Sequence, residues 1–319
     1  MRELVIGRND AGQRVDKFLS KAVPGLPISL MYKYIRTKKI KRNRARTAPH
    51  EQLAEGDTLQ LFIREEFFGM PEDDREALSR IRPKLEICYE DENILVLNKR
   101  PGVLVHQDDA GGENTLILHV QAYLFQRGEY APDAEQSFAP ALCNRIDRNT
   151  GGLVLAAKNA EALRVMNEKI RRGELGKFYL CAVHGRLSPA EATLHGWLIK
   201  DRAANLVSVT DNRRPGAKEI ITHYRTIAHK PDMSLLEVEL LTGRTHQIRA
   251  HLAHIGHPLL GDGKYGVNRD DKRQGYKYQA LYAYRIRFNF SDDGGPLAYL
   301  RGREVALDPE QIWFVREFT

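Results

Sequence analysis

The chain has few cysteines, no long apolar run and, in its first fifth, little negative charge. Only three cysteines occur in 319 residues, Cys88, Cys143 and Cys181, and none belongs to a C-x-x-C pair. Neither a disulfide framework nor a cysteine zinc site is supported, and the apolar neighbours lead to the expectation of a small buried side chain at each. The longest apolar runs, such as Ile94–Leu97 and Gly152–Ala157, fall far short of the ~20 residues that a membrane-spanning helix needs. The opening MRELVIGRND puts two charged residues before a three-residue apolar stretch, unlike a secretory leader. The expectation is a cytoplasmic protein with no membrane partner.

The shortage of acid is local. Residues 1–64 hold 14 Lys or Arg against 6 Asp or Glu, a net of +8, whereas residues 65–319 hold 35 against 36, a net of −1. A basic excess confined to one end points to a polyanion-binding module attached to a body with another task. Its densest run, KYIRTKKIKRNRAR at 33–46, has eight basic residues and no acidic one. Before it, Val15, Phe18, Leu19 and Val23 recur at helical spacing, and Leu30, Tyr34 and Ile35 continue the stripe in a second short helix. After it, Glu55-Gly56-Asp57 marks a turn and Thr58–Ile63 alternates like a strand. Residues 65–76 then carry six carboxylates and one arginine, with Gly69 and Pro71 as breakers. This change of sign reads as an acidic linker over 65–84, which separates a 1–64 domain from an 85–319 domain.

Beyond Leu85 strands outnumber helices. Strand patterns appear at Leu85–Tyr89, Ile94–Asn98, Leu153–Ala157, Phe178–His184, Thr193–Ile199, Ile220–Ile227, Leu235–Leu241 and Leu281–Phe290. Helical spacing is confined to Thr115–Arg127, Ala160–Arg171 and Thr245–Ile255. The expected class is α+β, a mixed and mostly antiparallel central sheet with flanking helices, preceded by a small α+β domain.

Three segments could carry chemistry. In CNRIDRNTGGLVLAAK at 143–158, Asp147 stands between Arg145 and Arg148. Nearby positive charge keeps a carboxylate anionic, hence nucleophilic, at neutral pH, but the same residues also describe an ordinary surface ion pair. In GKFYLCAVHG at 176–185, Phe178, Leu180 and Ala182 would face the core and Tyr179 the other side. Such a phenol is either a hydrogen-bonded core residue or a weak proton acceptor in a closed site. In TGRTHQIRAHLAHIGHPLLGDGKYG at 242–266, Ile248, Leu252 and Ile255 form a helical stripe. Arg244, His246 and Arg249 crowd the helix start, where the dipole disfavours cations, so the arginines need an anion. Histidines 246, 251, 254 and 257 lack the i, i+4 pairing of a zinc helix. No metal site is expected.

In this order and spacing, the segments resemble the RluA-like family of RNA pseudouridine synthases. The family pattern H-R-L-D-x-x-T-S-G-L is met by N-R-I-D-R-N-T-G-G-L. K-x-Y-x-A-x-V-x-G is met by K-F-Y-L-C-A-V-H-G, and the long T-G-R block agrees at nearly every fixed position. NKRPGVLVH at 98–106 is similar to the family's earlier N-K-P segment. Two departures stand out, Asn144 for the usual histidine and Gly151 for the usual serine. The amino-terminal segment resembles the small S-four-like RNA-binding domain, through R-x-D-K-x-L, Ser29, K-K-I-K-R-N and E-G-D.

The resemblance implies an isomerase that turns uridines of structured RNA, ribosomal RNA first among them, into pseudouridine without a cofactor, as a monomer. It implies Asp147 as nucleophile, Arg249 as its ion-pair partner and Tyr179 as the residue that stacks on uracil in, or near, proton removal. Arg145 would fill the space left by the extruded nucleotide, and Arg244 and His246 would contact substrate. Lys38, Lys39, Lys41 and Arg42 would touch phosphates. The rival expectation is a non-catalytic RNA-binding or ribosome-assembly factor on the same fold.

Overall fold

The computed structural model describes residues 1–68, 74–106, 114–201 and 206–318. The chain divides into two compact units, Met1–Pro83 with Leu118–Ala141 and Lys158–Leu163, and Lys84–Ile117 with Leu142–Ala157 and Arg164–Thr319. No helix among the described residues is long and apolar enough to cross a membrane.

In the first unit the elements run β1 (Arg2–Val5), α1 (Val15–Ala22), α2 (Ile28–Arg36), β2 (Ile40–Arg42), β3 (Ala45–Arg46) and β4 (Thr58–Leu61). The strands form one sheet in the order β1-β4-β2-β3. The helical stripe read from the sequence is its core, since Val15, Phe18, Leu19, Val23 and Ile35 all lie buried against Ile40, Leu59 and Leu61. Asn43 and Arg44 close the β2–β3 hairpin with φ of 49° and 65°, the two-positive-φ turn that suits strand twist. Asn43 suits such a turn; Arg44 is held in it by its backbone N–H, which donates to Gln60 Oε1 at 2.8 Å.

The acidic segment differs from the expectation of a linker without regular structure. Glu65–Phe68 forms a 3-10 turn whose Phe67 and Phe68 pack on the small core, and Phe67 meets the Tyr34 ring edge-on at 6.4 Å. A helix, α3 (Asp74–Arg80), follows and buries Leu78. Two phenylalanines within reach of an apolar core outweigh the local charge, and the run from Arg75 to Leu78 favours helix. Gly69 and Pro71 lie outside the described residues.

The remaining elements are β5 (Ile87–Glu90), β6 (Ile94–Lys99), α4 (Leu116–Gln126), β7 (Ala141–Leu142), β8 (Gly151–Ala157), α5 (Ala160–Arg171), β9 (Leu175–His184), β10 (Glu191–Asp201) and β11 (Leu206–Thr210), then β12 (Lys218–His229), β13 (Met233–Leu240), α6 (Gln247–His254), α7 (Arg269–Arg273), β14 (Leu281–Phe288) and β15 (Glu304–Ala306). The large sheet runs β11-β10-β12-β13-β9-β14-β8-β6-β5, with β15 on β14 and β7 on β8. β8 and β14 pair in parallel; the neighbours β12 and β13, β13 and β9, and β9 and β14 are antiparallel. The architecture is therefore α+β with a mostly antiparallel sheet. Sequence patterns missed the short β7, β11 and β15, which have too few residues to show a period.

Both faces of β9 are covered. Phe178, Leu180 and Ala182 enter one buried cluster, and Tyr179 and Cys181 on the opposite face are buried as well. At the start of β8, Gly152 has φ of 110°, and a Cβ there would stand 2.1 Å from the Ala283 carbonyl oxygen. Only glycine lets β8 approach β14 this closely. That closeness fixes where the preceding Asp147 loop ends.

Candidate active site

The loop before β8, the middle of β9 and the start of α6 bring Asp147, Tyr179 and Arg249 into one electrostatic cluster. Arg249 Nη1 donates to Asp147 Oδ2 at 2.8 Å. Its Nε and Nη2 donate to the two oxygens of Asp262 at 2.7 and 2.9 Å. The side chain of Asp262 has no exposure, against 7% for Arg249 and 23% for Asp147. Asp262 accepts as well from the backbone N–H groups of Lys264 and Tyr265 at 2.9 and 3.3 Å. Burial would raise the Asp262 carboxyl, but Arg249 outweighs it and holds the group below the usual range, while the carboxylates push Arg249 up. A guanidinium locked on both sides is a fixed donor, aimed at one oxygen of Asp147. Asp147 Oδ1 has no protein partner among the described residues.

His246 caps α6 in the left-handed region at φ of 54°. Its Nε2 is 3.8 Å from Asp147 Oδ2, and its Nδ1 is 2.7 Å from the Tyr265 hydroxyl, which also accepts from the Val207 N–H at 3.1 Å. Burial first, then the charge of Arg249, hold the imidazole below its ordinary value despite Asp147. The Tyr265 ring also lies 5.1 Å from the Arg249 guanidinium. Tyr179 is 7% exposed, and its hydroxyl has no protein hydrogen-bond partner among the described residues. Burial, and secondarily the charge of Asp147, push this phenol well up, so at neutral pH it is a protonated ring facing an anion.

Lys99 closes the other side of the loop. It is 1% exposed and donates to the carbonyls of Arg100, Val103 and Arg148 at 3.1, 2.9 and 2.9 Å. Burial pushes its ammonium down to about 8, and the charge of Asp147 opposes the shift. Arg148 Nε donates to the Gly102 carbonyl at 3.2 Å, so the arginine beside Asp147 binds backbone rather than the aspartate.

Both departures from the family pattern have local explanations. A Cβ on Gly151 would lie 2.2 Å from the Tyr282 ring, whose hydroxyl donates to Asn98 Oδ1 at 2.8 Å. Tyr282 thus occupies the space a serine would need. Asn144 Oδ1 accepts from the Leu155 N–H at 2.7 Å and so ties the loop to β8.

Arg145 and Arg244 are exposed. Arg145 adds its charge to the burial that lowers His106, and the Arg244 N–H donates to Gln247 Oε1 at 3.1 Å. The other three histidines take separate partners: His251 Thr222, His254 Asp211 and His257 the carbonyl of His184. Lys38, Lys39, Lys41 and Arg42 belong to the other unit. Lys38 and Lys39 are exposed; Lys39 and Lys41 reach the Tyr34 and Phe62 rings. Arg42 turns inward to Asp57 at 2.6 Å. Asp262, Lys99 and Tyr265 escaped the sequence reading, although each stands in a quoted segment, as the D and Y of G-D-G-K-Y-G and the K of N-K-R-P-G.

Fold and site together place one carboxylate, bound by a buried arginine, near a buried tyrosine. Residues 93–254 match the RNA pseudouridylate synthase family. An RNA pseudouridine synthase of Mycoplasma genitalium is 31% identical, over 90% of this chain and 88% of its own. The ribosomal large subunit pseudouridine synthases C of Vibrio vulnificus and Pasteurella multocida are each 30% identical, over 89% and 97% of this chain and 87% and 91% of theirs. In fold, the chain is similar to human RNA pseudouridylate synthase domain-containing protein 1, with a TM-score of 0.56 and 21% identity over 72% of this chain and 84% of that one. The chain belongs to the RNA pseudouridylate synthase family, in its RluA-like branch. It is an isomerase.

Proposed function

We propose that the chain converts specific uridines of large-subunit ribosomal RNA to pseudouridine with Asp147 as nucleophile, in the cytoplasm and as a monomer. The observation that carries the role of Asp147 is its divided carboxylate: Arg249 binds Oδ2 at 2.8 Å, and Oδ1 has no protein partner among the described residues. The names of the Vibrio and Pasteurella relatives support the choice of RNA.

The reaction breaks the N1 to C1′ glycosidic bond, turns the uracil, joins C5 to C1′ and moves the C5 proton to solvent, while N1 takes up a proton. Asp147 attacks through its unbound oxygen either at ribose C1′, displacing uracil N1 and being displaced in turn by C5, or at the uracil ring, adding across the C5–C6 double bond and being eliminated once C5 has joined C1′. Arg249, neutralised by Asp262, supports the anion without adding net charge to the pair. Tyr179 stacks on the uracil; as a neutral phenol it offers its oxygen as hydrogen-bond partner near C5 rather than as a phenolate. His246 and the exposed Arg244 contact the substrate, and Arg145 fills the gap left when the nucleotide leaves its stack.

Residues 1–64 form the RNA-binding module, 65–84 link it and 85–319 form the catalytic domain. Lys38, Lys39 and Lys41, with no carboxylate within 4.0 Å among the described residues, grip phosphates, and Arg42, tied to Asp57, shapes the hairpin that presents them. Pseudouridines mapped in ribosomal RNA from a strain lacking this protein should be missing at one or a few large-subunit uridines. The wild-type chain should restore them, and Asp147→Asn should lower the rate by at least about 10³-fold while RNA binding is retained. Modification undiminished in Asp147→Asn removes the nucleophile assignment, and ribosomal RNA unaltered in the deletion strain removes the substrate.

A further inference from the structure

We infer that helix α2 carries a base-stacking subsite for an unpaired nucleotide of the RNA, with Tyr32 as its platform; the inference rests on residues 1–64 being an RNA-binding module. Tyr32 is 43% exposed, yet it is anchored. Its hydroxyl donates to Asp16 Oδ2 at 3.1 Å, and Asp16 is itself 4% exposed. The fork of Arg14 grips both oxygens of that carboxylate at 3.1 and 2.6 Å. A buried, doubly held carboxylate fixes the far end of an exposed ring, and the ring is thereby confined to one orientation. Confinement before binding lowers the entropy lost when a planar ligand stacks on it.

The surroundings of the ring select the ligand. One turn before it Ile28 is 65% exposed; one turn after it stands Arg36, and Ser29 and Lys33 share the exposed face. Lys33, Arg36, Lys38 and Lys39 have no carboxylate within 4.0 Å among the described residues. An aromatic and an aliphatic side chain left in water on the same helix as the exposed cations Lys33 and Arg36 match a flat base joined to a phosphate. The net charge of +8 over residues 1–64 opposes a basic protein surface as occupant. Within the module Tyr32 reads the absence of pairing, because a base inside a duplex hides its faces, and the lysines read phosphate whether paired or not.

The test uses the full chain, an RNA hairpin with a single-stranded loop of about ten nucleotides, enough for one site of this kind, and a blunt duplex of equal phosphate number. Affinities are measured by fluorescence anisotropy across a series of KCl concentrations. Tyr32→Ala should weaken binding to the looped RNA about tenfold at every salt concentration, with the salt slope and duplex affinity unchanged. Tyr32→Phe, which keeps the ring and loses the anchor, should stay within about threefold of wild type. Melting curves establish that both variants are folded. The double variant Lys38→Gln/Lys39→Gln should weaken both RNAs and flatten the slope. Wild-type affinity of Tyr32→Ala for the loop, or equal loss on loop and duplex, overturns the stacking subsite. If in addition the lysine variant leaves the slope unchanged, it is the RNA-binding reading of the module that fails.

Discussion

Arginine and carboxylate are used in opposite ways at residues 33–46 and around residue 147. In the run 33–46, Lys33, Arg36 and Lys38 are exposed with no carboxylate within 4.0 Å among the described residues, Lys39 and Lys41 lie over aromatic rings, and Arg42 binds a nearly buried Asp57 at a turn. Around Asp147 the arginine is buried, shared between two carboxylates and ringed by tyrosine and histidine. Long-range attraction of a polyanion needs charge that solvent and counterions can reach. A carboxylate that must react needs its charge held in one place by groups that do not move. The same chemistry, placed at different depths, suits the proposed binding surface in one region and the proposed reactive centre in the other.

Cutting the arginine from each carboxylate should separate the two most strongly. Arg249→Met leaves Asp262, whose side chain has no exposure, with a buried uncompensated charge, and urea unfolding should show a loss of about 3–5 kcal/mol. Arg42→Met leaves Asp57 with the Asn43 and Ala54 donors at 2.7 and 2.6 Å, and about 1–2 kcal/mol should be lost. Equal losses would break the comparison.

A smaller and opposite pair of effects comes from Lys99, whose ammonium burial pushes down to about 8 from 10.5. Above about pH 8 the folded protein loses a proton there, with it one of three donors to the loop carbonyls and a positive charge near Asp147, so turnover should fall with an apparent pKa near 8. Stability runs the other way. Between about 8 and 10.5 the unfolded chain holds a proton that the folded chain lacks, so this group's contribution to stability rises with pH across that window. A pH profile of turnover that stays flat to about pH 9.5 would detach Lys99 from the chemistry.

The smallest effect should be on stability in the module. Lys38→Gln/Lys39→Gln should shift unfolding by no more than about 0.5 kcal/mol, because neither lysine has a carboxylate partner. The slope of binding against salt should nonetheless fall by about 1.5. A large loss of stability there would mean that these lysines serve the fold rather than the RNA.

Much of the fold was legible along the chain. The alternation at Ile220–Ile227 and Leu235–Leu241 became β12 and β13, and the stripe of Val15, Phe18 and Leu19 became a core, because burying apolar side chains obeys the local period. The packing of Phe67 and Phe68 on the small core was not visible in the acidic segment, since charge counts ignore what a neighbouring core will accept. Within the site, Asp147 and Arg249 could be named from motif resemblance, whereas Asp262 and Lys99 stood in the same motifs with nothing to mark their burial. Gly151 looked like a defect until the Tyr282 ring proved to fill its space.

The amino-acid sequence by itself determined the segregation of charge, the α+β class and the short list of reactive side chains, because composition and period act over a few residues at a time. Only the tertiary structure decided that Arg148, next to Asp147, binds backbone; that Arg249 is shared with the buried Asp262; and that Arg42 turns inward while Lys38 stays in water. Ion pairing depends on distance and dielectric after folding, and neither follows from separation along the chain.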